Sequence, residues 1–289
     1  MEDGLSPGTI VTGDPYVSSD KNTINHNCKY NNGFRVNLGY ELPSDSWGVG
    51  ISYTYMPATA RTPTFSITDL MTWAYAPNSN DFPILDPLSS ISPTREVFTS
   101  RWTATLNCAD VDLSRIVCLG DCLQMRPHIG FRAFWMTQRL RVNLDYTLDT
   151  ATEESVDVIL RQHFTSCGVE GGLWATWNIG CGFSFLGHIG GSILSSKFTI
   201  PQHATFIVMT DEDSETEILT ESYIEDTIHS CTPTADYFVG LQYDDIFCEV
   251  VFSLIAGWEQ HVVFDVNRLS SIPGNLATQG LTLSFKARF

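Results

Sequence analysis

The feature that most constrains this chain is the regular alternation of apolar and polar residues along several segments. In residues 34–40 the apolar side chains occupy the even positions, and in residues 47–55 they occupy the odd positions. Successive side chains of a β-strand point to opposite faces, whereas the same spacing on a helix would scatter them around its circumference. The alternation therefore predicts strands with one apolar and one polar face.

Nine strands of this kind are predicted, and most of them pair as hairpins. They cover residues 33–41, 46–56, 97–118, 123–147, 158–178, 182–199, 231–243, 246–265 and 279–289. Very short turns are predicted near 42–46, 119–121, 179–181 and 244–245, and longer, mostly polar connections at 57–96, 148–156, 200–232 and 266–279. Short turns at one rim and long loops at the other are typical of outer-membrane barrels. A soluble β-sandwich would also alternate, but its outer faces would be polar, and here large aromatics recur on the apolar face.

These strands predict an all-β protein, a transmembrane antiparallel β-barrel that forms one domain over residues 1–289. Bacterial single-chain barrels have even strand numbers, so about ten strands are expected, with residues 3–13 as the candidate tenth strand and eight or twelve strands as alternatives.

Residues 171–196 carry no charge and could suggest a membrane helix. Their seven glycines and central turn favour two strands instead. The opening residues show no signal peptide, so we expect a mature form or a truncated N-terminal strand.

The polarity of the faces reverses partway along two neighbouring predicted strands. In residues 123–133 the apolar side chains occupy odd positions, whereas in residues 139–144 they occupy even positions. A β-bulge near residues 136–138 would produce this reversal by inserting one extra residue. The neighbouring strand reverses near residues 108–110.

Composition excludes some partners. Charged residues make up 17% of the chain, against roughly 25% in soluble domains, so much of the surface need not face water. The net charge of −17 argues against nucleic acid and against anionic membrane surfaces. Residues 211–226 hold eight acids and no base, and we expect them to form a solvated loop.

The interior-facing charges are the candidate pore lining, because polar side chains in the lumen set the selectivity of a pore. An Arg or Lys facing lipid at the midplane would cost about 2–4 kcal/mol, which favours an inward orientation. The predicted set is Arg35, Arg126, His128, Arg132, Arg139, Arg141, Glu170, His188, Asp236, Glu249, Glu259, His261, Lys286 and Arg288. Seven Lys and Arg against four acids predict a basic lumen with a mild preference for anions. The alternative is that these charges pair into a plug that seals a narrow barrel.

Eight cysteines are present, and four of them lie at or beside predicted short turns. These are Cys118, Cys122, Cys181 and Cys248, which should sit at the periplasmic edge and could form disulfides there. Cys118 and Cys122 flank one turn, and either an intrachain bridge or cross-links to envelope partners would satisfy them. Cys28 and Cys231 should lie toward the outer surface. No cysteine–histidine spacing indicates a zinc site, and no metal or cofactor is predicted.

Catalytic motifs are weak in this chain. It has no G-x-S-x-G sequence, and His128, His188 and His261 lie on separate predicted strands. Lone histidines are more often structural than catalytic, so we do not expect an enzyme.

Several hairpins carry a family resemblance. The segments GFRVNLGYELPSDSWGVGISYTY (33–55), LQMRPHIGFRAFWMTQRLRV (123–142), LWATWNIGCGFSFLGHIGGSIL (173–194), FSLIAGWEQHVVFDVN (252–267) and QGLTLSFKARF (279–289) resemble the Legionella-type major outer membrane protein family, which also occurs as MOMP-like proteins of environmental chlamydiae. The resemblance implies a porin-like barrel in the bacterial outer membrane that passes small polar solutes by diffusion. The alternative is a disulfide-linked structural protein or adhesin with a closed lumen.

The last strand also looks like the C-terminal strand by which barrel-assembly machinery recognises its clients. Phe285 and Phe289 are the candidate assembly signal in this strand. The expected partners are therefore outer-membrane lipid, that machinery and disulfide partners in the envelope, and nucleic acid is not expected.

Overall fold

A computed structural model describes residues 9–12, 20–23, 27–28, 31–42, 46–61, 65–67, 71–74, 95–149, 152–210, 216–248, 250–268 and 274–288. Their regular structure consists of fifteen strands. These are β1 (Thr9–Thr12), β2 (Asp20–Thr23), β3 (Asn27–Cys28), β4 (Phe34–Glu41), β5 (Trp47–Arg61), β6 (Phe65–Ile67), β7 (Met71–Ala74), β8 (Arg95–Arg115), β9 (Val117–Leu119), β10 (Leu123–Asp149), β11 (Thr152–Gly180), β12 (Phe183–Thr210), β13 (Thr216–Phe247), β14 (Val250–Asn267) and β15 (Gly274–Arg288). Within these ranges, no helix is long and apolar enough to span a membrane.

One antiparallel sheet of twelve strands forms the barrel wall. Its order is β15-β14-β13-β12-β11-β10-β8-β5-β3, with β4 also paired to β5, β6 to β8 and β9 to β10. Neighbours along the chain pair with one another, so the sheet is an up-and-down meander. The prediction of an all-β antiparallel barrel is confirmed, and each of the nine predicted strands has a counterpart in this sheet.

The sheet curls so that its ends approach one another. Arg35 on β4 contacts Glu259 on β14, although these strands lie near opposite edges of the sheet. Arg132 on β10 likewise reaches Asp236 on β13, which is three strands away. These contacts define the concave face of the sheet as the interior.

The predicted tenth strand lies elsewhere. Thr9–Thr12, inside the predicted segment 3–13, pairs with β2 and β7 in a separate three-stranded sheet. The even strand number of bacterial barrels called for an earlier strand there, but a strand count could not say which strands would be its partners.

The strands extend beyond the predicted limits at the long-loop rim. β12 continues to Thr210 and β13 begins at Thr216, where the sequence suggested a loop over 200–232. Most of the acidic run 211–226 therefore belongs to β13, and residues 211–215 lie outside the described residues. The prediction of a solvated loop for the whole run was wrong because pairing with β12 organises this backbone.

The tight turns use backbone conformations that few residues adopt. Cys181 and Gly182 have φ values of 54° and 81°, as expected for a two-residue hairpin turn with positive φ at both positions. The predicted turn at Asp244–Asp245 was wrong, because both residues pair with β14 and the chain turns at Cys248, whose φ is 50°. Two further ladder pairs beyond the aspartates outweigh their local turn preference.

The predicted β-bulge near residues 136–138 is absent. β10 pairs with β8 in continuous register from His128 to Thr147, and with β11 from Leu123 to Thr147. The described even-numbered side chains of β10, from Gln124 to Val142, therefore point inward. Along the strand these inward side chains change from polar to apolar, and the outward ones change from apolar to polar. The physical reason is that the strand leaves the hydrocarbon core of the membrane, so its outer face meets lipid headgroups and water, and its inner face packs as a core.

The outward face carries an apolar band. Its exposed residues include Val49, Val111, Phe131, Val169, Ile193, Val239, Leu254, Leu283 and Phe285. Aromatic pairs lie at its two margins, with Tyr53 and Trp135 at one and Trp177 and Phe185 at the other. The thirteen residues of β10 from Leu123 to Trp135 span about 40 Å along the strand, or about 30 Å of membrane at the usual tilt. This length matches the hydrocarbon core.

The cysteines predict an orientation that chemical labelling can check. Cys118, Cys122, Cys181 and Cys248 are exposed at the short-turn rim, which faces the periplasm in outer-membrane barrels. In single-cysteine variants, Cys181 and Cys248 should resist a membrane-impermeant thiol reagent on intact cells and react after the outer membrane is permeabilised. Labelling of either cysteine on intact cells would show that the barrel has the opposite orientation in the membrane.

Candidate functional site: the barrel interior

The lower half of the interior, toward the short turns, is lined by charged side chains, which we call the charged layer. It comprises Arg35, Glu41, Asp110, Asp112, Arg126, Arg132, Glu170, Asp236, Asp244, Glu259, Lys286 and Arg288, together with His128, His188 and His261. Alternation places these residues opposite the apolar band, so they stay away from lipid. The charges therefore face one another across the lumen.

Arg132 is the centre of the charged layer. Its guanidinium donates from Nε to Asp110 Oδ1 at 2.8 Å, from Nη2 to Glu170 Oε2 at 2.9 Å and from Nη1 to Asp236 Oδ2 at 2.5 Å. The Arg132 side chain is 12% exposed, and those of Glu170 and Asp236 are each 6% exposed. One cation thus holds three carboxylates from three different strands. Arginine can do so because its guanidinium carries five N–H donors.

The contacts continue from Arg132 to the first barrel strand. Asp236 Oδ1 lies 2.7 Å from His261 Nδ1, and Glu259 Oε1 lies 2.9 Å from His261 Nε2. Arg35 then donates to Glu259 Oε1 at 2.5 Å. This chain of contacts joins β10, β13, β14 and β4, so it braces the closure of the barrel and obstructs the lumen.

A cluster of rings lies beside the ionic contacts. His128 and His188 stack with ring centroids 5.4 Å apart, and Trp174 stacks on His188 at 4.3 Å. A Cβ atom at Gly172 would lie 2.6 Å from His128 Cε1, so glycine leaves room for that ring. These rings narrow the lumen at the level of the charged layer.

The upper half of the interior is filled by apolar side chains, which we call the apolar layer. It comprises Trp102, Ala104, Leu106, Phe134, Met136, Leu140, Val142, Leu160, Phe164, Leu194, Phe198, Ile200, Val263, Val266 and Leu276, with Ala60. Leu160, Leu194 and Phe198 have no exposed area. Phe164 packs on Phe198 with centroids 4.8 Å apart, and Arg268 lies over the Phe198 ring at 4.6 Å.

Buried amides connect the apolar layer to the backbone of the last strands. Gln162 Nε2 donates to Val266 O at 2.6 Å, and Arg268 N donates to Gln162 Oε1 at 2.8 Å. Trp102 Nε1 donates to Gln138 Oε1 at 3.1 Å. These polar groups are satisfied, so the layer is packed like a soluble core rather than like a water-filled channel.

Comparison with known families identifies the chain. The family described as Legionella pneumophila major outer membrane protein precursor matches residues 6–287. The chain belongs to this family. No curated protein matches the chain. Membership in an outer-membrane protein family agrees with the barrel, its apolar outer band and its charged interior.

Most of the predicted interior residues lie on the inner face of this family member. The structure places Arg35, Arg126, His128, Arg132, Glu170, His188, Asp236, Glu259, His261, Lys286 and Arg288 there, whereas Glu249 lies outside the described residues. Arg139 and Arg141 point outward and are exposed, so their assignment to the lumen was wrong. They lie on the outer face because β10 pairs in continuous register, without a bulge that would exchange its two faces. That the inward residues line a conducting path stays a prediction.

The sequence prediction missed four inward acids. Glu41, Asp110, Asp112 and Asp244 lie in the charged layer. Asp110 and Asp112 share the even parity of Ser114 and Trp102, so applying one parity to all of β8 would have found them. The described charged layer holds seven acids against five Lys and Arg, and the predicted basic lumen was therefore wrong.

The remaining predicted residues are the candidate assembly signal and the cysteines. Phe285 points outward and is 69% exposed, whereas Phe289 lies outside the described residues. Cys118 is opposite Gln124 rather than Cys122, and the seven described cysteines are free thiols. Cys231 lies within β13 opposite Ser195, below the rim where the sequence had placed it. Disulfide formation by these thiols stays a prediction.

Proposed function

We propose that this protein is a porin-like channel of the bacterial outer membrane that passes small ions and polar solutes by passive diffusion. The observation that supports the proposal is the charged layer, in which ionic side chains face the lumen at the height of the apolar band. Lumen charges provide polar groups that can replace the water lost by a permeating ion. The absence of a catalytic role and the partnership with barrel-assembly machinery are further parts of this proposal.

The apolar layer acts as the restriction in this proposal. A hydrophobic constriction stops ions because it does not hold water, and it conducts when it widens and is wetted. Phe164 and Phe198 would form this constriction, and the guanidinium of Arg268 lies over the Phe198 ring. Conduction therefore requires displacement of these rings, and the resting conductance should be low.

Single-channel recording of the purified, folded barrel in a planar bilayer tests the proposal. Discrete steps that scale with salt concentration are expected, at a level below that of an open trimeric porin. A barrel that inserts but never produces steps would contradict channel function. Anomalous migration in unheated detergent gels, compared with the heated sample, shows that the inserted protein is folded.

The described charges predict a preference for cations in such recordings. Seven acids and five Lys and Arg face the lumen in the charged layer, so its field attracts cations. Under a salt gradient, the reversal potential should have the sign of cation selectivity. Replacing Asp112 and Asp244 by Asn should shift it toward anions, whereas replacing the outward Asp157 by Asn should not. Anion selectivity of the unmodified protein would contradict the inner-face assignment.

A second candidate function is a closed barrel that serves the envelope as a structural protein. The specific observation in its favour is the apolar layer, whose residues have between 0% and 8% exposure. Four exposed cysteines at the short-turn rim could then cross-link to envelope partners. Silence in bilayers together with disulfide-linked complexes on non-reducing gels would favour this role over the channel.

A further inference from the structure

A belt of basic side chains surrounds part of the outer wall, just above the apolar band. This basic belt consists of Arg61, Arg101, Arg139, Arg141, Arg161 and Lys197. All six side chains are exposed and lie on five adjacent strands, β5, β8, β10, β11 and β12. They account for six of the sixteen Lys and Arg in a chain whose net charge is −17. Along the ladders the five arginines lie within two residues of one another, Lys197 lies level with Trp135 through Thr165, and all six share the outer face. This concentration requires a reason other than overall composition.

The register places like charges directly beside one another. Arg61 is opposite Arg101, Arg101 is opposite Arg141, and Arg139 is opposite Arg161. Opposed positions on neighbouring strands bring Cβ atoms to about 5 Å, where like charges are destabilising. A bound anion between the arginines would remove this repulsion.

The described part of the chain supplies one acidic partner for the basic belt. Asp157 accepts from Arg141 at 2.7 Å. Within the part of the chain that the structure describes, the other five members of the basic belt have no acidic partner within 4 Å. The guanidinium groups therefore retain donors for an external ligand.

The height of the basic belt identifies the kind of ligand. Trp135 marks the upper margin of the apolar band on β10, and Arg139 follows four residues later on the same face. Four residues of a tilted strand rise about 10 Å, which places Arg139 at the level of lipid headgroups. Arginine binds phosphate oxygens in a bidentate manner.

We propose that the basic belt binds the phosphate groups of phosphorylated glycolipid in the outer leaflet that surrounds the barrel. The acyl chains of such a lipid would cover the apolar band directly below, so one molecule satisfies both surfaces. The net charge of the chain does not oppose this binding, because salt screens charges more than about 8 Å away. The proposal does not depend on conduction.

Titration of the detergent-solubilised barrel with bisphosphorylated lipid A, followed by native mass spectrometry, tests the proposal. The variant carries Arg101→Gln, Arg139→Gln and Arg161→Gln. A basic residue at a membrane surface contributes about fivefold to binding of anionic lipid, so the triple variant should bind on the order of 100-fold more weakly. Lipid A stripped of both phosphates should bind the unmodified barrel and the variant equally.

Two controls separate charge from fold and position. Replacing the same three residues by Lys should preserve most of the binding. Arg115→Gln removes an exposed outward arginine that lies over Trp47 near the short-turn rim, and it should leave binding unchanged. Gel mobility before and after heating shows that each variant is folded.

Several results would overturn the proposal. One is equal binding of phosphorylated lipid by the triple Gln variant and the unmodified barrel. Another is full displacement of the lipid by inorganic phosphate at matched ionic strength, which would indicate a site for the free anion. A change of oligomeric state in the Gln variant without a change in lipid binding would instead assign the basic belt to contacts between copies.

Discussion

Replacing Phe198 by alanine should widen the lumen at the apolar layer and raise the single-channel conductance. Phe198 has no exposed area and packs between Phe164 and Arg268 in the apolar layer. Removing its ring widens the apolar constriction and lets water enter beside Gln162, which lowers the barrier to ions. A reduction of only about 1.4 kcal/mol in that barrier increases the rate of passage tenfold, so single-channel conductance should rise by at least about tenfold. Phe164→Ala should have an effect of the same sign.

Phe185→Ala is the matched control for this prediction. Phe185 lies on the same strand as Phe198, but it points outward and is 47% exposed. Its removal should leave the conductance unchanged. If Phe198→Ala and Phe164→Ala both fold, insert and conduct no better than the unmodified protein, the apolar layer does not control permeation. Folded variants are identified by their mobility in unheated gels.

Removing the guanidinium of Arg132 should cause the largest loss of stability. Arg132→Met would leave Asp110, Glu170 and Asp236 facing one another without the cation that holds them. Breaking a buried ion pair by removing one partner costs about 3–5 kcal/mol, so we expect a loss of at least that size. The midpoint of urea unfolding in lipid vesicles, followed by tryptophan fluorescence, measures the change.

Arg141→Met provides the comparison, because Arg141 is also ion-paired but lies on the outer surface. Its side chain is 55% exposed and contacts Asp157 at 2.7 Å. Exposed ion pairs contribute at most about 1 kcal/mol, so this variant should unfold near the midpoint of the unmodified barrel. Equal losses for Arg132→Met and Arg141→Met would show that the charged layer does not brace the barrel. Arg132→Lys should recover part of the stability.

The nine long strands and most of their hairpin partners were predictable, because alternation is a local property that each segment carries in its own residues. The lower halves of the strands were predicted well for the same reason. In β4, for example, Leu38 and Tyr40 face lipid while Arg35 faces the lumen. The turn at Cys181–Gly182 was also visible in the sequence, whereas the turn at Cys248 was hidden by the stronger turn signal of two aspartates.

The ligands of Arg132 could not be predicted. Asp110, Glu170 and Asp236 come from three strands that lie far apart in sequence. Alternation assigns a residue to a face, but it does not state the height of one strand against another. Only the register of the ladders places these three carboxylates around one guanidinium.

The sequence by itself determined that this chain forms antiparallel strands with a lipid-facing apolar band and charged residues opposite it. The tertiary structure decided what the reversal of polarity along β10 means. A bulge and an exit from the hydrocarbon core produce the same sequence pattern. A bulge would place both Arg139 and Arg141 on the inner face, whereas an exit leaves both on the outer face. Continuous pairing of β10 with both neighbours excludes the bulge. Arg139 and Arg141 therefore belong to the outer surface, and Leu140 and Val142 belong to the core. Above the hydrocarbon core of the membrane, headgroups and water surround the wall, and the interior is the apolar phase.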